Sequence, residues 1–430
     1  MRFIKKHGLF FVFILAILIR ISLIFLNYSF DVNNHIVWAK DLHERGFSDF
    51  FNRPSSEVYA VAYPNYPPLA LFIFYIFYPL PKIIFNIFWF LNVHLPVFPS
   101  NIISVLENID KRLFLAAMLK LPAILSDLGL AWISVLFTRK MMKKTNRTDL
   151  LTASLFLFNP AFIYNSSLWG QIDVIPLFFA ALSIYLLLFT KKSTLSGITF
   201  ALSLLVKPTT LILLPVYAIV FFRKFGLKNI IKTFIISNLV FWFAFLPFLR
   251  KIDFLTPYFI YFEKIMAAQS LPYVTNGVFN FWLLLADFKK AIPDTTPFLF
   301  DLSYRFWGYL AVGILMSAII YKMVKGKLKT EVVLEALFFS ALASVLFLTK
   351  MHERYLLLPL PFLLLMAVRE KQYLKYFIFL SLFAFFNHYH SWAVPFIAFI
   401  FKTIDNPLVY RSLSLMSILI FFNLLLKMYR

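Results

Sequence analysis

Six places in this 430-residue chain hold polar side chains of the kinds that move protons or bind anions: Asp31–His35, Tyr63–Pro68, Asp127, Trp169–Asp173, Lys207 and Lys350–Arg354. Asp31 follows an apolar run, and burial at such a boundary can raise a carboxyl pKa toward that of a working base. It also suits the N-cap of a helix, because Val32, His35, Ile36, Ala39, Leu42 and His43 recur at helical spacing before Gly46. That pattern predicts a short amphipathic surface helix over Asp31–Gly46.

Tyr63-Pro-Asn-Tyr-Pro-Pro68 enforces an extended backbone, with Pro68 fit for a first helical turn; Tyr66 is its candidate site residue, and a plain turn is the alternative. In Trp169-Gly-Gln-Ile-Asp173 the amide of Gln171 and the carboxylate of Asp173 could hold sugar hydroxyls beside the Trp169 ring, and Asp173 equally suits a helix start. Lys207 precedes Pro208 between two apolar runs, where an ionisable group either serves a site or snorkels to the headgroups. Lys350-Met-His-Glu-Arg354 crowds four ionisable groups into one turn. A phosphate could compensate Lys350 and Arg354 through charge-assisted hydrogen bonds, with His352 beside them; an ion pair with Glu353 is the alternative.

The elements that must position these groups are membrane helices. Hydrophobic residues make up 61% of the chain and charged residues 14%, more apolar surface than a soluble fold can hide. Runs such as Leu9–Leu26, Leu113–Phe137, Ile230–Phe248 and Leu408–Leu426 approach the ~20 residues a helix needs to cross a bilayer. The first lacks a small-residue cleavage site and reads as a retained span. The formal charge of +22 falls in short clusters at Arg2–Lys6, Arg139–Arg147, Lys191–Lys192, Arg223–Lys232, Lys322–Lys329 and Arg369–Lys375. Short basic loops of this kind mark the cytoplasmic side rather than a nucleic-acid surface.

Threading the chain with those clusters inside predicts an all-α, polytopic protein of about 12 spans, near 9–26, 113–137, 150–164, 173–189, 195–206, 208–222, 230–248, 306–322, 331–348, 355–368, 375–387 and 408–427. Both termini are then cytoplasmic. Residues 27–112 and 249–305 are the two large outer segments of one integrated domain covering 1–430. Leu69–Phe90 is long enough to span, but a crossing there would carry Arg139–Arg147 outside, so it reads as a juxtamembrane helix, with re-entrant insertion as the alternative. All the polar clusters except Asp127 then lie at the outer face. Cysteine is absent, which removes thiolate chemistry, and there is no phosphate-cradling Gly-rich loop, metal-spaced His pair or nucleophile elbow. No cofactor is expected, with a divalent metal left as an open alternative.

In order and type these clusters resemble the GT-C glycosyltransferases, especially the lumenal glucosyltransferases of N-glycan assembly and the bacterial GPI-mannosyltransferase-II-like proteins. The resemblance runs from Asp31 through Tyr66-Pro-Pro-Leu69, Arg112–Asp127, Asn159-Pro160, Trp169–Asp173 and Lys207-Pro208 to Lys350-Met-His-Glu-Arg-Tyr-Leu-Leu-Leu-Pro359, the most specific piece. It implies a polyprenyl- or dolichyl-phosphate sugar donor, a lipid-linked or cell-surface glycan acceptor, and inverting transfer on the extracytoplasmic face of a bacterial or archaeal plasma membrane. By position Asp31 is similar to the family's acidic base, and His352 and Arg354 to its late motif near the donor phosphate, with Lys350 and Lys207 as helpers. Trp169–Asp173 is poorer in His than the eukaryotic glucosyltransferases, which places the chain nearer the bacterial branch. A flippase for lipid-linked sugars, or a ligase or polymerase of whole glycans, would use similar groups.

Overall fold

A computed structural model describes residues 2–142, 145–268, 270–287 and 290–429. Helix accounts for 76% of the chain, and among the described residues the one sheet is a hairpin of β1 (Pro297–Leu299) and β2 (Leu302–Ser303).

The helix α1 (Arg2–Ile24) leads through a short turn into α2 (Phe30–Arg45). The cap of α2 is Ser29, whose hydroxyl accepts from the Val32 amide at 3.4 Å, while Gly46 at φ 73° ends it. The expectation that Asp31 is the N-cap is therefore overturned; it stands in the first turn with its side chain free for other partners. Nor is α2 a surface helix. Every residue from Val32 to Ala39 is buried, because the chain after it folds back over its polar face.

That return runs through an extended Pro67 into α3 (Pro68–Phe77), as expected, and then α4 (Leu80–His94). Pro79 separates the two helices for a simple reason. It has no N–H to give the Tyr75 carbonyl, and His43 of α2 supplies the missing donor at 2.9 Å while stacking on the Tyr75 ring. After α5 (Asn101–Asn108), α6 (Lys111–Met141) starts from an Asp110 cap whose carboxylate accepts from the Leu113 amide at 2.7 Å.

The helix α7 (Asn146–Leu157) breaks before α8 (Pro160–Ile163), which continues as a π-helix over Tyr164–Trp169. Then come α9 (Val174–Phe189), α10 (Ser193–Val206) and α11 (Leu214–Phe245). Gly226, at φ 76° and ψ 171°, interrupts α11, so that residues on both sides of it face α10; this break falls between the expected segments 208–222 and 230–248. Short α12 (Thr256–Phe259) and α13 (Trp282–Leu285) lie in the second large outer segment, followed by α14 (Tyr304–Lys325), α15 (Thr330–Phe347), α16 (Leu360–Arg369), α17 (Leu374–Ser391), α18 (Ala398–Ile404) and α19 (Pro407–Tyr429).

Among the described residues, seven helical stretches are long and apolar enough to cross a membrane: His7–Ile24, Pro68–His94, Lys111–Met141, Pro208–Phe248, Tyr304–Lys325, Thr330–Phe347 and Pro407–Tyr429. The centre of the bundle is α15 and α16, apolar on nearly every face and buried on nearly every face, as a helix enclosed by others must be. By contrast α4 buries no residue.

Several basic loops meet at one end of the bundle. Arg139 pairs with Asp149 at 2.9 Å and Arg369 with Glu331 at 2.9 Å; Lys224 donates to the Leu187 carbonyl, Arg223 to Val324 and Lys322 to Tyr429. The polar clusters singled out from the sequence, Asp127 apart, meet at the other.

Candidate functional site

Four separate parts of the chain bring charged groups to one place. The π-helix ends at Gly170, whose φ of 81° suits glycine; a Cβ there would come within 2.4 Å of Val32. The Asn165 carbonyl accepts from the amides of Gly170 and Gln171 at 3.0 and 2.9 Å. Held this way against the start of α2, Gln171 donates through Nε2 to Asp31 Oδ2 at 2.5 Å.

Asp173 occupies the position before α9 yet makes no cap with its side chain. It accepts instead from the Lys207 ammonium at 2.6 Å, a pair buried on both sides. Lys207 also faces the rings of Tyr66 and Tyr355, at 5.8 and 5.5 Å from their centroids. Snorkelling is thus excluded for Lys207: its charge is enclosed and matched.

Arg354 reaches between these groups from the 3₁₀ turn Glu353–Leu357. Its nitrogens stand 3.4 Å from Asp31, 3.7 Å from Asp173 and 3.9 Å from Glu353, and its buried Nε has no hydrogen-bond partner. A guanidinium carries five donors, and this one uses a single long bond, to Asp31. Exposure separates the members sharply. The side chain of Asp31 is 35% exposed, against 10% for Arg354, 5% for Asp173 and 1% for Lys207. Asp31 is the mouth of the cluster and the rest its floor.

The second large outer segment closes over the late motif. Asn276 and Gly277 bridge to the His352 backbone, and the Gly277 carbonyl accepts from Asn387 at 2.7 Å. The His352 ring lies 3.9 Å from Glu353 and edge-on to Tyr355. Lys350 has a left-handed φ of 62°, and its side chain does not join the ion-pair cluster. Trp169 is packed rather than presented: it stacks on Trp392 with centroids 6.2 Å apart and planes 3° from parallel, and meets His388 at its edge. Tyr66 lies under Lys207 with its hydroxyl pushed up by burial and by the Asp31 carboxylate.

The electrostatics correct one expectation. Burial does push the Asp31 carboxyl up, but the Arg354 cation, the Gln171 hydrogen bond and Lys207 more than reverse it, so Asp31 titrates below the usual carboxylate range. Glu353 is likewise low: burial raises it, and His352 and Arg354 outweigh that. Burial lowers His352, with Arg354 adding to the effect, so its imidazole is neutral at pH 7 and offers a hydrogen bond rather than a charge. With His352 neutral, the three carboxylates of Asp31, Asp173 and Glu353 face the two cations Lys207 and Arg354, one negative charge in excess.

One residue had been grouped with Asp31 without a role. His35 lies one helical turn after it on the same face, stacks on Phe74 at 4.2 Å, has neither ring nitrogen hydrogen-bonded, and is pushed by burial to about 3. Tyr355 and Trp392 were not anticipated either, since an aromatic ring in an aromatic-rich chain carries no signal of its own. No protein-family model matches the chain, and no curated protein is significantly similar to it.

Proposed function

We propose that the chain is a membrane glycosyltransferase of about twelve spans that moves a single sugar, mannose or another hexose, from a polyprenyl-phosphate donor to a lipid-linked or cell-surface acceptor. The reaction takes place on the extracytoplasmic face of a bacterial or archaeal plasma membrane. One observation carries this reading: the buried, under-bonded guanidinium of Arg354 stands beside the partly open carboxylate of Asp31. A buried donor without a partner calls for one, and a phosphate oxygen is the partner that a planar fork fits best.

The chemistry then follows by role. The acceptor oxygen attacks the anomeric carbon as its proton passes to Asp31, which is ionised and ready at neutral pH. The bond from the anomeric carbon to the phosphate oxygen breaks with its electron pair on the phosphate, and a single displacement inverts the centre. Charge grows on that phosphate, so Arg354 binds it more tightly in the transition state than before. Arg354 then turns from Asp31 to the phosphate. Lys207 and Asp173 already satisfy one another; their part is to hold Arg354 and the Tyr66 ring in place. Neutral His352 can donate to a phosphate oxygen.

The test is sugar transfer by purified protein in liposomes, offered radiolabelled polyprenyl-phosphate mannose or glucose with extracted lipids as acceptors. Label should move to an acceptor, and Asp31→Asn should lower turnover by about 10²–10⁴-fold with folding and donor binding kept. Asp31 caps nothing, so a large loss cannot be laid to helix capping. Turnover of Asp31→Asn within a few-fold of the parent would remove the base, and donor crossing the bilayer with no transfer at all would replace the enzyme with a flippase.

A further inference from the structure

Beside the first turn of α2, which carries Asp31 of the ion-pair cluster, lies a cavity of about 630 Å³, within the ~300–1,000 Å³ typical of small-molecule sites. Tyr28, Phe30, Asn33, Glu57, Tyr59 and Arg112 line it. Phe30 and Tyr59 approach with ring centroids 4.5 Å apart and are 64% and 51% exposed. The wall carrying Glu57 and Tyr59 is fixed through its backbone. Asn33 donates to the Glu57 carbonyl at 2.9 Å, and Asn34 both donates to Tyr59 O at 3.0 Å and accepts from Tyr59 N at 2.8 Å. The Glu57 side chain, 54% exposed, stands 3.8 Å from Lys40 and 4.0 Å from Arg112, and the Tyr59 ring meets Phe30, while the backbone sets their positions.

We infer that this cavity binds a neutral sugar of the acceptor, a pyranoside whose apolar face lies on the Phe30 and Tyr59 rings while its hydroxyls reach Glu57 and Arg112. The inference rests on the transferase reading for the word acceptor. Three features favour a neutral polyol over an anion. Arg112 is already met by Asn33 Oδ1, at 3.0 Å from Nε, and stands 4.0 Å from Glu57, so the lining holds no uncompensated positive charge. Glu57 adds an exposed carboxylate, a good acceptor for hydroxyls and a poor neighbour for a phosphate. The exposed rings offer flat apolar faces that an inorganic anion cannot use. Placement supplies the link to the chemistry: Phe30 and Asn33 share one face of the turn on which Asp31 is the neighbouring residue, so a sugar held here presents its edge toward the base.

Binding can be read without any donor. The protein in nanodiscs, purified without sugar detergents, is probed by saturation-transfer NMR with methyl mannoside, methyl glucoside and their disaccharides, and with inorganic phosphate and methyl glucuronide as anions. A neutral glycoside should bind. Tyr59→Ala and Glu57→Gln should each weaken it about tenfold or more, while Tyr59→Phe, which keeps the ring, retains it. None of these touches the backbone clamp, so folding should persist, and circular dichroism checks that. Binding of the anions alone, or glycoside binding equal in all variants, or none to the parent, overturns the inference. If a glycoside binds here but no sugar is ever transferred, the transferase reading falls and the cavity stands as a sugar site; if transfer proceeds and no glycoside binds, the cavity alone falls.

Discussion

Arg354 separates charge from shape. Lysine would keep the positive charge but lose the planar fork, so Arg354→Lys should weaken donor binding and turnover by about 10–100-fold, the loss of one or two hydrogen bonds to a charged group. Parental donor affinity and turnover in both Arg354→Lys and Arg354→Ala would end its role as a phosphate ligand. The pH profile adds a second reading of the same contact. A base works only when unprotonated, and Asp31 titrates below the usual aspartate value of about 3.9 because Arg354 and its other partners outweigh burial. Activity should therefore be flat from pH 7 down to about 5 and fall only as pH drops through that lowered value. Removing the cation in Arg354→Gln should move the acid limb of any residual activity upward. A parental limb centred above pH 5 would contradict the arrangement. That Asp31, Gln171, Asp173, Lys207 and Arg354 belong together was legible in the sequence, because charged groups at the ends of apolar runs are expensive and therefore conspicuous. Their pairing was not. Spacing gives no hint that Lys207 is spent on Asp173 or that Lys350, four residues before Arg354, stays apart from the cluster.

At the scale of elements, the junction of α7 and α8 shows how the site is braced. Asn159 Oδ1 takes the Ala161 amide at 3.0 Å, and Pro160 has no amide to give, so the Leu157 carbonyl is left without its usual partner. Arg20 of α1 supplies it at 2.9 Å, and with the same side chain pairs with Asp127 of α6 at 3.0 Å, both fully buried. Ser166 of the π-helix donates to the same carboxylate at 2.6 Å. This explains Asp127, the one cluster that did not fit the outer face: it is the pin joining α1, α6 and the π-helix that carries Gln171. Asp127→Leu alone should cost about 3–5 kcal/mol by stranding Arg20, whereas Arg20→Met with Asp127→Leu should recover most of it. Thermal melts in detergent measure both, and a double variant as unstable as the sum of its single changes would refute the pairing. Proline marks this break in the sequence, as it marks the one after α3, but the partner does not show. Arg20 is 107 residues from Asp127, and neither the π-helix nor the cap it needs leaves a periodic trace.

For the whole molecule, the two ends carry the argument about membrane topology. Between the basic end and the polar end the chain passes back and forth, and contacts such as Arg223 with Val324 and Lys322 with Tyr429 put loops far apart in sequence on the same side. They support the proposed twelve crossings, five more than the seven stretches that length and apolarity alone would identify. Residues 208–248 count as one of the seven, yet 41 helical residues would extend about 60 Å, twice a bilayer core, and Gly226 breaks them. The opposite case is Pro68–His94. Leu80 and Ile84 of α4 pack with Leu106 and Ile109 against Ile24 and Phe114, at the end of α1 and the start of α6. Were α4 to deliver the chain to the cytoplasm, only α5, eight residues or about 12 Å of helix, would be left to return it across lipid that tolerates no bare backbone. This packing supports the proposal that the stretch lies in the outer face or dips into it and returns. Lys143 and Arg430, which the threading places inside, lie outside the described residues, and Asp294, which it places outside, is buried against Arg305 and Thr349 and would hide a thiol. Better reporters are exposed: Glu57, Val97 and Phe300 for the outside, Lys191 and Lys327 for the inside. The chain has no cysteine, so single introduced thiols read without background. In intact cells a membrane-impermeant maleimide should label positions 57, 97 and 300 and leave 191 and 327 untouched until the membrane is opened. Position 97 decides the hardest point: if it is protected while 57 is labelled, residues 68–94 cross, every later segment inverts, and the polar cluster loses the single face on which its chemistry depends.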